Sequence, residues 1–254
     1  MVHVGALPGT PDNSLTISEI IGKALSDAHI LVSEGIDAIM IENMHDRPYL
    51  NRSVGPEIVA GMTAIAAELK SKCKLPLGIQ ILAGANKQAL AVALAAQLNF
   101  IRAEGFVFGH LADEGIMNSD AGELLRYRKQ IGAEHIRVFT DIKKKHSSHA
   151  ISSDLSVAET AKAAAFFLSD GIIITGSSTG QPASVEDIKN VKKSVTVPVI
   201  IGSGIDQYNI DGYWNFADAF IVGSSLKKDG KWENEVDPVR VKQFIQKTNT
   251  LKLK

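Results

Sequence analysis

Short apolar runs rich in β-branched residues recur along the whole chain, and signals for helix starts lie between them. The runs that we expect to form strands are residues 2–7, 38–42, 77–82, 100–106, 137–143, 171–175, 197–201 and 219–222. Thr16 with Glu19 and Ser156 with Glu159 have the spacing of capping boxes, which mark the first turns of helices. The run 171–175 is apolar without alternation, as is typical of strands that helices cover on both faces. The pattern therefore predicts a parallel sheet surrounded by helices.

The number of strand–helix units and the chain length favour one closed domain. Eight units in 254 residues are close to the roughly 250 residues of a single α/β barrel. Hydrophobic residues make up 45% of the chain, which is enough for one large core, and no linker or composition shift marks a second domain. We therefore predict a single α/β domain over residues 1–254, a (β/α)8 TIM barrel, with an open doubly wound sheet as the alternative.

Charge, cysteine content and hydropathy exclude several classes of protein. The formal net charge of −1 gives no global field that would attract nucleic acid or an acidic membrane, so we expect no nucleic-acid partner. No apolar run approaches the ~20 residues of a membrane-spanning helix. The single cysteine, Cys73, cannot form an internal disulfide, which is typical of a reducing compartment. We therefore expect a cytoplasmic protein, or an organellar one if a targeting segment precedes residue 1.

Polar side chains gather at the carboxyl ends of the predicted strands. In a barrel, alternate strand residues point inward, and the site lies where the carboxyl ends of the strands meet. The polar residues that this alternation places inward are His3, Glu42, Gln80, Arg102, Glu104, Asp141, Lys143 and Thr175, and Asn43 follows directly after Glu42. Exposure to water does not explain them, because helices cover the outer face of the strands, and buried charges need partners.

The residue types allow two interpretations of this polar layer. Arg102, Glu104, Glu42 and Asp141 could form a structural ion network. Alternatively, the acids and a lysine converge for acid–base chemistry or for a hard divalent cation, and no other cofactor is evident. The catalytic residues are then Glu42, Glu104, Asp141 and Lys143, and the residues beside the substrate are His3, Asn43, Gln80, Arg102 and Thr175. Lys143 could pair with Asp141 or act as an amine nucleophile, and the sequence does not choose between these roles.

Glycine–serine segments follow the last three predicted strands. They begin with Gly176 and Ser177, with Gly202, Ser203 and Gly204, and with Gly223 and Ser224. Glycine lets the backbone approach a ligand closely and turn its N–H groups toward it. In α/β barrels, the loops after strands seven and eight commonly bind phosphate. We therefore predict a phosphate site at these residues, with plain tight turns as the alternative.

Several segments of the chain match a known family. The chain resembles the BtpA family over essentially its whole length, most specifically at residues 7–11 (LPGTP), 35–43 (GIDAIMIEN), 46–49 (DRPY), 54–57 (VGPE) and 139–146 (FTDIKKKH). This resemblance implies a barrel similar to phosphate-binding ones. The family takes its name from a requirement for photosystem I accumulation in photosynthetic microbes, yet members also occur in organisms without a photosystem. The resemblance therefore implies no common reaction and no catalytic residue.

The leading hypothesis is an enzyme that acts on a small phosphorylated metabolite, such as a sugar phosphate or a nucleotide. Its class would be an isomerase, a lyase or an enzyme that cleaves a glycosidic bond. The alternative is a non-catalytic biogenesis or stability factor for a membrane protein complex, of the photosystem I type in photosynthetic members. That alternative predicts an exposed apolar patch on the outer helices rather than a need for the polar layer. The sequence leaves open whether the chain forms a homo-oligomer.

Overall fold

The computed structural model describes residues 1–176 and 182–253. The strands in this part are β1 (Val2–His3), β2 (Ile39–Glu42), β3 (Leu77–Gln80), β4 (Phe100–Ala103), β5 (His110–Ala112), β6 (Gly115–Met117), β7 (Arg137–Ile142), β8 (Ser147–Ser148), β9 (Gly171–Ile174), β10 (Val199–Ile201) and β11 (Ala219–Phe220). The α-helices are α1 (Ile17–Ser33), α2 (Pro56–Lys72), α3 (Asn86–Ala95), α4 (Ala121–Gln130), α5 (Val157–Phe166), α6 (Val185–Ser194) and α7 (Pro238–Lys252).

Eight of the strands form one curled parallel sheet, in the order β1, β2, β3, β4, β7, β9, β10, β11. The predicted α/β architecture, with strands and helices alternating around a parallel sheet, is confirmed. Among the described residues, no ladder joins β11 to β1. The amino group of Met1 donates to the carbonyl of Val222 at 2.9 Å, and this bond links the two edges of the sheet.

Two of the helices begin at the capping boxes that the sequence predicts. Thr16 Oγ1 accepts the N–H of Glu19 at 3.3 Å, and the Glu19 carboxylate accepts the N–H of Thr16 at 2.8 Å. Ser156 and Glu159 make the same reciprocal pair at the start of α5. Both predicted capping boxes are therefore confirmed. After β10, a 3-10 turn at Ile210–Gly212 stands where the repeating pattern would place a helix.

One apolar cluster joins the outer face of the sheet to the helices around it. Ile79, Ile101 and Val138 of the strands are fully buried in it, as are Ile65 of α2 and Leu90 of α3. Burying a side chain of this size stabilises the fold by about 1.5–3 kcal/mol relative to exposing it. This outer packing therefore fixes the strands whose ends carry the site.

Aromatic rings fill the inner side of the sheet beneath its polar end. Phe100 and Phe139 lie on adjacent strands, with ring centroids 5.5 Å apart. Gly78 leaves room for them, because a Cβ there would lie 2.0 Å from the Phe100 ring. Two residues further along the same strand faces are Gln80 and Arg102, so the apolar floor ends where the polar layer begins.

A second, antiparallel sheet of three short strands, in the order β6, β5, β8, lies at the carboxyl end of the main sheet. It joins the segment after β4 to the segment after β7, because Leu111 pairs with both Ile116 and Ser148. The sequence does not predict these strands, since two or three residues are too few to show an alternating pattern. None of the helices in the described residues is long and apolar enough to cross a membrane.

Candidate active site at the carboxyl ends of the strands

A cavity of about 520 Å³ opens at the carboxyl ends of the parallel strands. Small-molecule sites in proteins commonly have volumes of roughly 300–1,000 Å³. The predicted site residues that line this cavity are His3, Glu42, Gln80, Arg102, Glu104, Gly202, Ser203, Gly204, Gly223 and Ser224. They come from the ends of β1, β2, β3, β4, β10 and β11, so six of the eight strands of the main sheet contribute to the cavity.

Other predicted residues lie outside the cavity lining, namely Asn43, Asp141, Lys143, Thr175 and Gly176. Asn43 is buried between two strand ends: its Oδ1 accepts the N–H of Leu82 at 2.8 Å, and its Nδ2 donates to Asp46 at 2.8 Å. These bonds tie the end of β2 to the end of β3. Ser177, a predicted phosphate-binding residue, lies outside the described residues.

Thr175 and Gly176, after β9, hold neighbouring segments in place. Thr175 Oγ1 accepts the N–H of Lys145 at 3.1 Å. The N–H of Gly176 donates to Ser203 Oγ at 3.3 Å, in the segment after β10. These bonds engage polar atoms that we expected to face a substrate, and they position Lys145 and Ser203, which line the cavity.

Two carboxyl groups are buried in the cavity wall, at the ends of β2 and β4. Burial raises the pKa of Glu42, although Arg102 opposes the shift. Burial also raises the pKa of Glu104, whose Oε2 has no hydrogen-bond partner among residues 1–176 and 182–253 and lies 3.6 Å from Lys144 Nζ. Gln80 Oε1, on the strand between them, is likewise buried, and no residue in the described part of the chain hydrogen-bonds to it. Carboxyl groups with raised pKa values can donate and accept a proton during a reaction.

Asn86, in the first turn of α3, fixes the backbone of Glu104. Its Nδ2 donates to the Glu104 carbonyl at 2.8 Å, and its Oδ1 accepts the Glu104 N–H at 3.2 Å. The same Nδ2 donates to Asp120 at 2.9 Å, and Asp120 pairs with Arg52 at 2.5 Å. This network outside the cavity therefore holds Glu104 at a defined position in the wall.

Arg102 and Asp141 form a buried ion pair between β4 and β7. Arg102 Nε and Nη2 donate to the two carboxylate oxygens at 2.7 and 2.8 Å. Burial lowers the pKa of Arg102, but Asp141 more than compensates, and the pKa is raised overall. Both oxygens of Asp141 are therefore engaged by a guanidinium that also lines the cavity.

Three consecutive lysines follow the end of β7, and their amino groups have different surroundings. The strand ends before Lys143, which adopts a left-handed backbone conformation with φ of 43°. The prediction that the side chain of Lys143 points into the cavity is therefore wrong, because the alternation of strand residues ends at Ile142. Its Nζ donates to the carbonyl of Ser152 at 3.0 Å. Lys144 and Lys145 line the cavity instead, and burial, followed by Arg102, lowers the pKa of Lys145.

The segments after β10 and β11 contribute backbone groups to the cavity. Residues 203–204 and 223–224 line it, and their N–H groups have no hydrogen-bond acceptor within the described part of the chain. An unpaired N–H beside a cavity is a donor for an anion. Glycine at position 202 is explained by packing instead, because a Cβ there would lie 2.5 Å from the side chain of Ile173.

Arg240 and Trp232 are among the residues near the end of the chain that line the cavity although the sequence does not predict them. Arg240, in the first turn of α7, donates from Nη1 to the carbonyl of Ser225 at 3.3 Å and brings a positive charge beside the segment after β11. The Trp232 carbonyl hydrogen-bonds with His3 Nδ1 at 2.8 Å, and the Arg47 guanidinium lies 5.3 Å from the centre of the Trp232 ring. No local sequence motif marks either residue. They belong to the site because the last segment of the chain folds back beside β1.

Within residues 1–176 and 182–253, the His, Cys, Asp and Glu side chains form no group of three that could hold a metal ion. The carboxyl groups of Glu42 and Glu104 line the cavity. A hard cation such as Mg²⁺ commonly completes its shell with water and substrate phosphates, so these two groups would need such additional oxygen ligands.

A model of the BtpA family matches residues 1–250. An uncharacterised mitochondrial protein from Caenorhabditis elegans is 48% identical over 99% of this chain and 92% of its own length. The photosystem I biogenesis protein BtpA from Synechocystis is 33% identical over 97% of this chain and 85% of its own length. The resemblance proposed from the sequence motifs is confirmed.

Two solved structures of similar fold are enzymes whose names include phosphorylated compounds. Orotidine 5'-monophosphate decarboxylase from Methanocaldococcus jannaschii has a TM-score of 0.61 at 16% identity, covering 90% of this chain and 94% of its own. Geranylgeranylglyceryl phosphate synthase from Thermoplasma acidophilum, complexed with sn-glycerol-1-phosphate, has a TM-score of 0.58 at 14% identity, covering 88% and 85%. Identities this low show similarity of fold alone, and the fold is TIM-barrel-like.

Proposed function

The chain belongs to the BtpA family, and from this membership and the geometry of its cavity we propose that it is an enzyme acting on a small phosphorylated metabolite. One observation carries the proposal: a single cavity is lined by N–H groups and buried side-chain oxygens that have no hydrogen-bond partner within the described ranges of the chain. Buried polar groups are rarely left unpaired, so a ligand that pairs with them would be stabilised there. A sugar phosphate or a nucleotide has both an anionic end and uncharged polar groups.

The phosphate end of the substrate would lie at the segments after β10 and β11. The N–H groups of residues 203–204 and 223–224 supply donors, and Arg240 supplies positive charge. Loops at these two positions commonly bind phosphate in α/β barrels, which supports the assignment if the sheet closes as a barrel. The bond between Met1 and Val222 at the open edge supports closure.

The reacting end would lie at Glu42 and Glu104, whose raised pKa values favour proton transfer. Gln80 and Arg102 line the cavity beside them and would orient the substrate. We assign Asp141 the role of positioning Arg102. Isomerisation, carbon–carbon cleavage and glycosidic cleavage all use acid–base groups of this kind, and we propose that no resident cofactor takes part. A divalent cation would enter with the phosphate of the substrate.

Ligand-induced stabilisation tests the phosphate end. We expect inorganic phosphate, sugar phosphates or nucleoside monophosphates to raise the melting temperature, because a ligand at 100 times its Kd stabilises the folded state by about 2.7 kcal/mol. Arg240→Gln should weaken this effect. Arg126→Gln is the matched control, since Arg126 lies outside the cavity and bonds to the carbonyl of Gly122. The proposal is overturned if no compound in a broad panel stabilises the protein.

Turnover of the stabilising ligand tests the reacting end. Glu104→Gln preserves the shape of the side chain but removes its ionisable carboxyl group, so we expect a loss of about 10²–10⁴-fold in rate with the fold retained. Unchanged turnover in this variant would remove Glu104 from the mechanism.

An exposed apolar surface favours a second candidate, a non-catalytic biogenesis factor, which the name of the Synechocystis relative suggests. Phe166 and Leu168, at the end of α5, are 81% and 69% exposed. Under this alternative, Phe166→Ser would impair function while Glu104→Gln would not. The C. elegans relative is named as a mitochondrial protein, which supports an organellar location for this chain as well.

A further inference from the structure

The three lysines that follow β7 differ in what holds their amino groups. Lys143 Nζ donates a hydrogen bond to the carbonyl of Ser152 at 3.0 Å. Lys144 Nζ lies 3.6 Å from Glu104 Oε2 and balances that carboxyl group. Lys145 lines the cavity, and its Nζ has no hydrogen bond or ion pair with any residue that the structure describes. Lys145 is therefore the member of this trio whose amino group is available to a ligand.

We propose that Lys145 is an amine nucleophile that forms a Schiff base with an aldehyde or ketone group of the phosphorylated substrate. This inference rests on the proposed function and narrows it to phosphorylated carbonyl compounds. The backbone of Lys145 is fixed, because its N–H donates to Thr175 Oγ1 at 3.1 Å. The side chain thus extends from an anchored residue into the cavity.

The surroundings of Lys145 favour the neutral amine that attack on a carbonyl requires. Burial lowers the pKa of its amino group, and the positive charge of Arg102 lowers it further. The carboxyl groups of Glu42, Asp141 and Glu104 oppose this shift, but the pKa of Lys145 stays lowered overall. Burial also raises the pKa values of Glu42 and Glu104, which favours their uncharged forms. Arg102 itself stays charged because Asp141 pairs with it through two hydrogen bonds.

The acids that line the cavity complete the reaction. The Lys145 nitrogen lone pair forms a bond to the carbonyl carbon while the carbonyl oxygen takes up a proton, which gives a carbinolamine after the nitrogen loses its extra proton. A protonated carboxyl group, Glu42 or Glu104, then donates a proton to the hydroxyl, which leaves as water. The resulting iminium draws electrons from the adjacent carbon. If a C–H bond there breaks, the carboxylate accepts that proton and an enamine forms. If a bond to a hydroxyl-bearing carbon breaks instead, the carboxylate accepts the hydroxyl proton, the electron pair of the C–C bond forms the enamine, and the departing carbon leaves as an aldehyde or ketone.

The phosphate donors and Arg240 lie on the segments after β10 and β11 and on α7, whereas Lys145 belongs to the segment after β7. We therefore assign the phosphate to these donors and Arg240, and the carbonyl group of the substrate to Lys145. The ligand that fits both ends carries a phosphate ester and an open-chain aldehyde or ketone.

Reductive trapping tests the proposal. The protein is incubated with a panel of phosphorylated aldehydes and ketones and sodium cyanoborohydride, and the products are analysed by intact mass and peptide mapping. We expect one adduct per chain, on Lys145, with the mass of the substrate minus that of water plus two hydrogens. Lys145→Arg and Lys145→Gln should reduce the adduct to background. Lys162→Arg, an exposed lysine on α5, should leave it unchanged.

Thermal stabilisation by inorganic phosphate, measured on the same proteins, separates the two proposals. Stabilisation of the wild type and of Lys145→Arg, with an adduct on the wild type alone, supports both. Stabilisation without any adduct, or with adducts on other lysines, overturns the Schiff base but leaves phosphate binding intact. If the variants fail to fold, the pH dependence of adduct formation on the wild-type protein still tests the proposal. We expect Lys145 to form the adduct at a lower pH than exposed lysines do, and adduct formation only at the pH at which exposed lysines react would overturn the proposal.

Discussion

His110 is a buried imidazole whose Nε2 has no hydrogen-bond partner among the residues that the structure describes. It is 5% exposed, and its ring centroid lies 5.3 Å from that of His149. Burial first, and then electrostatic interactions with Lys144, His149 and Arg52 in that order, lower its pKa to about 4. The folded protein therefore holds His110 neutral at pH values where an unfolded chain binds a proton.

This difference predicts a pH dependence of stability. Between pH 6.5, the usual pKa of histidine, and pH about 4, the unfolded chain binds more protons at His110 than the folded protein does. The free energy of unfolding therefore falls as the pH falls, by up to about 3 kcal/mol from this group. His110→Gln should flatten the slope of this free energy, measured by urea unfolding between pH 4 and 7.

The comparison between variants matters because Glu42 and Glu104 act in the opposite direction. Their raised pKa values make the folded protein the better proton binder as pH falls, which stabilises it. His135→Gln, at an exposed position, is the control. If His110→Gln and the wild type keep identical pH slopes, the imidazole is not held neutral by the fold.

Which residues reach the site could be predicted in part, because strand alternation places Glu42, Gln80 and Glu104 correctly at the lining of the cavity. The alternation fails at Lys143, where the backbone turns to a left-handed conformation just after the strand. It also does not reveal that Asp141 gives both oxygens to a neighbouring guanidinium. Alternation specifies a direction, whereas a side chain's role depends on which partners its polar atoms already have.

Among the secondary-structure elements, the sequence predicts the repeating parallel strands and helices but not the short strands of the second sheet. Capping boxes and apolar runs mark the helices and the parallel strands, since these signals are local. The sheet of β5, β6 and β8 has no local signal, because its strands have two or three residues and depend on pairing between two distant segments. Its hairpin tip brings Asp113 and Glu114 to the cavity.

Gly115 at this hairpin offers a test of the small sheet as a separate unit. Its φ of 102° is strained for any residue with a side chain. Asn51 Nδ2 donates to the carbonyls of Glu114 and Ile116 at 3.2 and 2.9 Å and holds the turn in that shape. Gly115→Ala should cost about 1–2 kcal/mol locally. We expect faster hydrogen exchange at the amides of β5 and β6, with the main sheet unchanged.

Gly22→Ala is the matched control for this substitution. Gly22 lies in α1 with no atom within 4 Å of the added Cβ, so alanine should stabilise the protein by about 0.5–1 kcal/mol. Faster exchange throughout the main sheet of Gly115→Ala would show that the hairpin is not an independent unit.

At the scale of the whole molecule, the site depends on the meeting of the first and last segments of the chain. Arg240 and Trp232 reach the cavity because the last segment of the chain returns beside β1. No local sequence motif near either residue predicts that it lines the cavity. In place of a ladder between β11 and β1, polar contacts join the two ends within the described residues. One of these contacts is a fully buried lysine, Lys227, paired with Asp27 of α1 at 3.3 Å.

The pair of Lys227 and Asp27 predicts how this junction is stabilised. Asp27 also accepts the N–H of Val236 at 2.9 Å, so its carboxylate joins α1 to the last segment twice. Burial lowers the pKa of Lys227 despite its partner, which indicates a large cost of desolvation. Lys227→Met should therefore destabilise the protein by about 3–5 kcal/mol, because it leaves a buried carboxylate without its counter-charge.

Adding Asp27→Asn to Lys227→Met removes that stranded charge while an amide oxygen can still accept the N–H of Val236. We expect the double variant to recover much of the lost free energy of unfolding in a urea-based double-mutant cycle. The exposed pair of Lys129 and Glu134 is the control, and its removal should cost at most about 1 kcal/mol. If the two buried substitutions are simply additive, the charges act independently, and the first and last segments are joined by packing rather than by this ion pair.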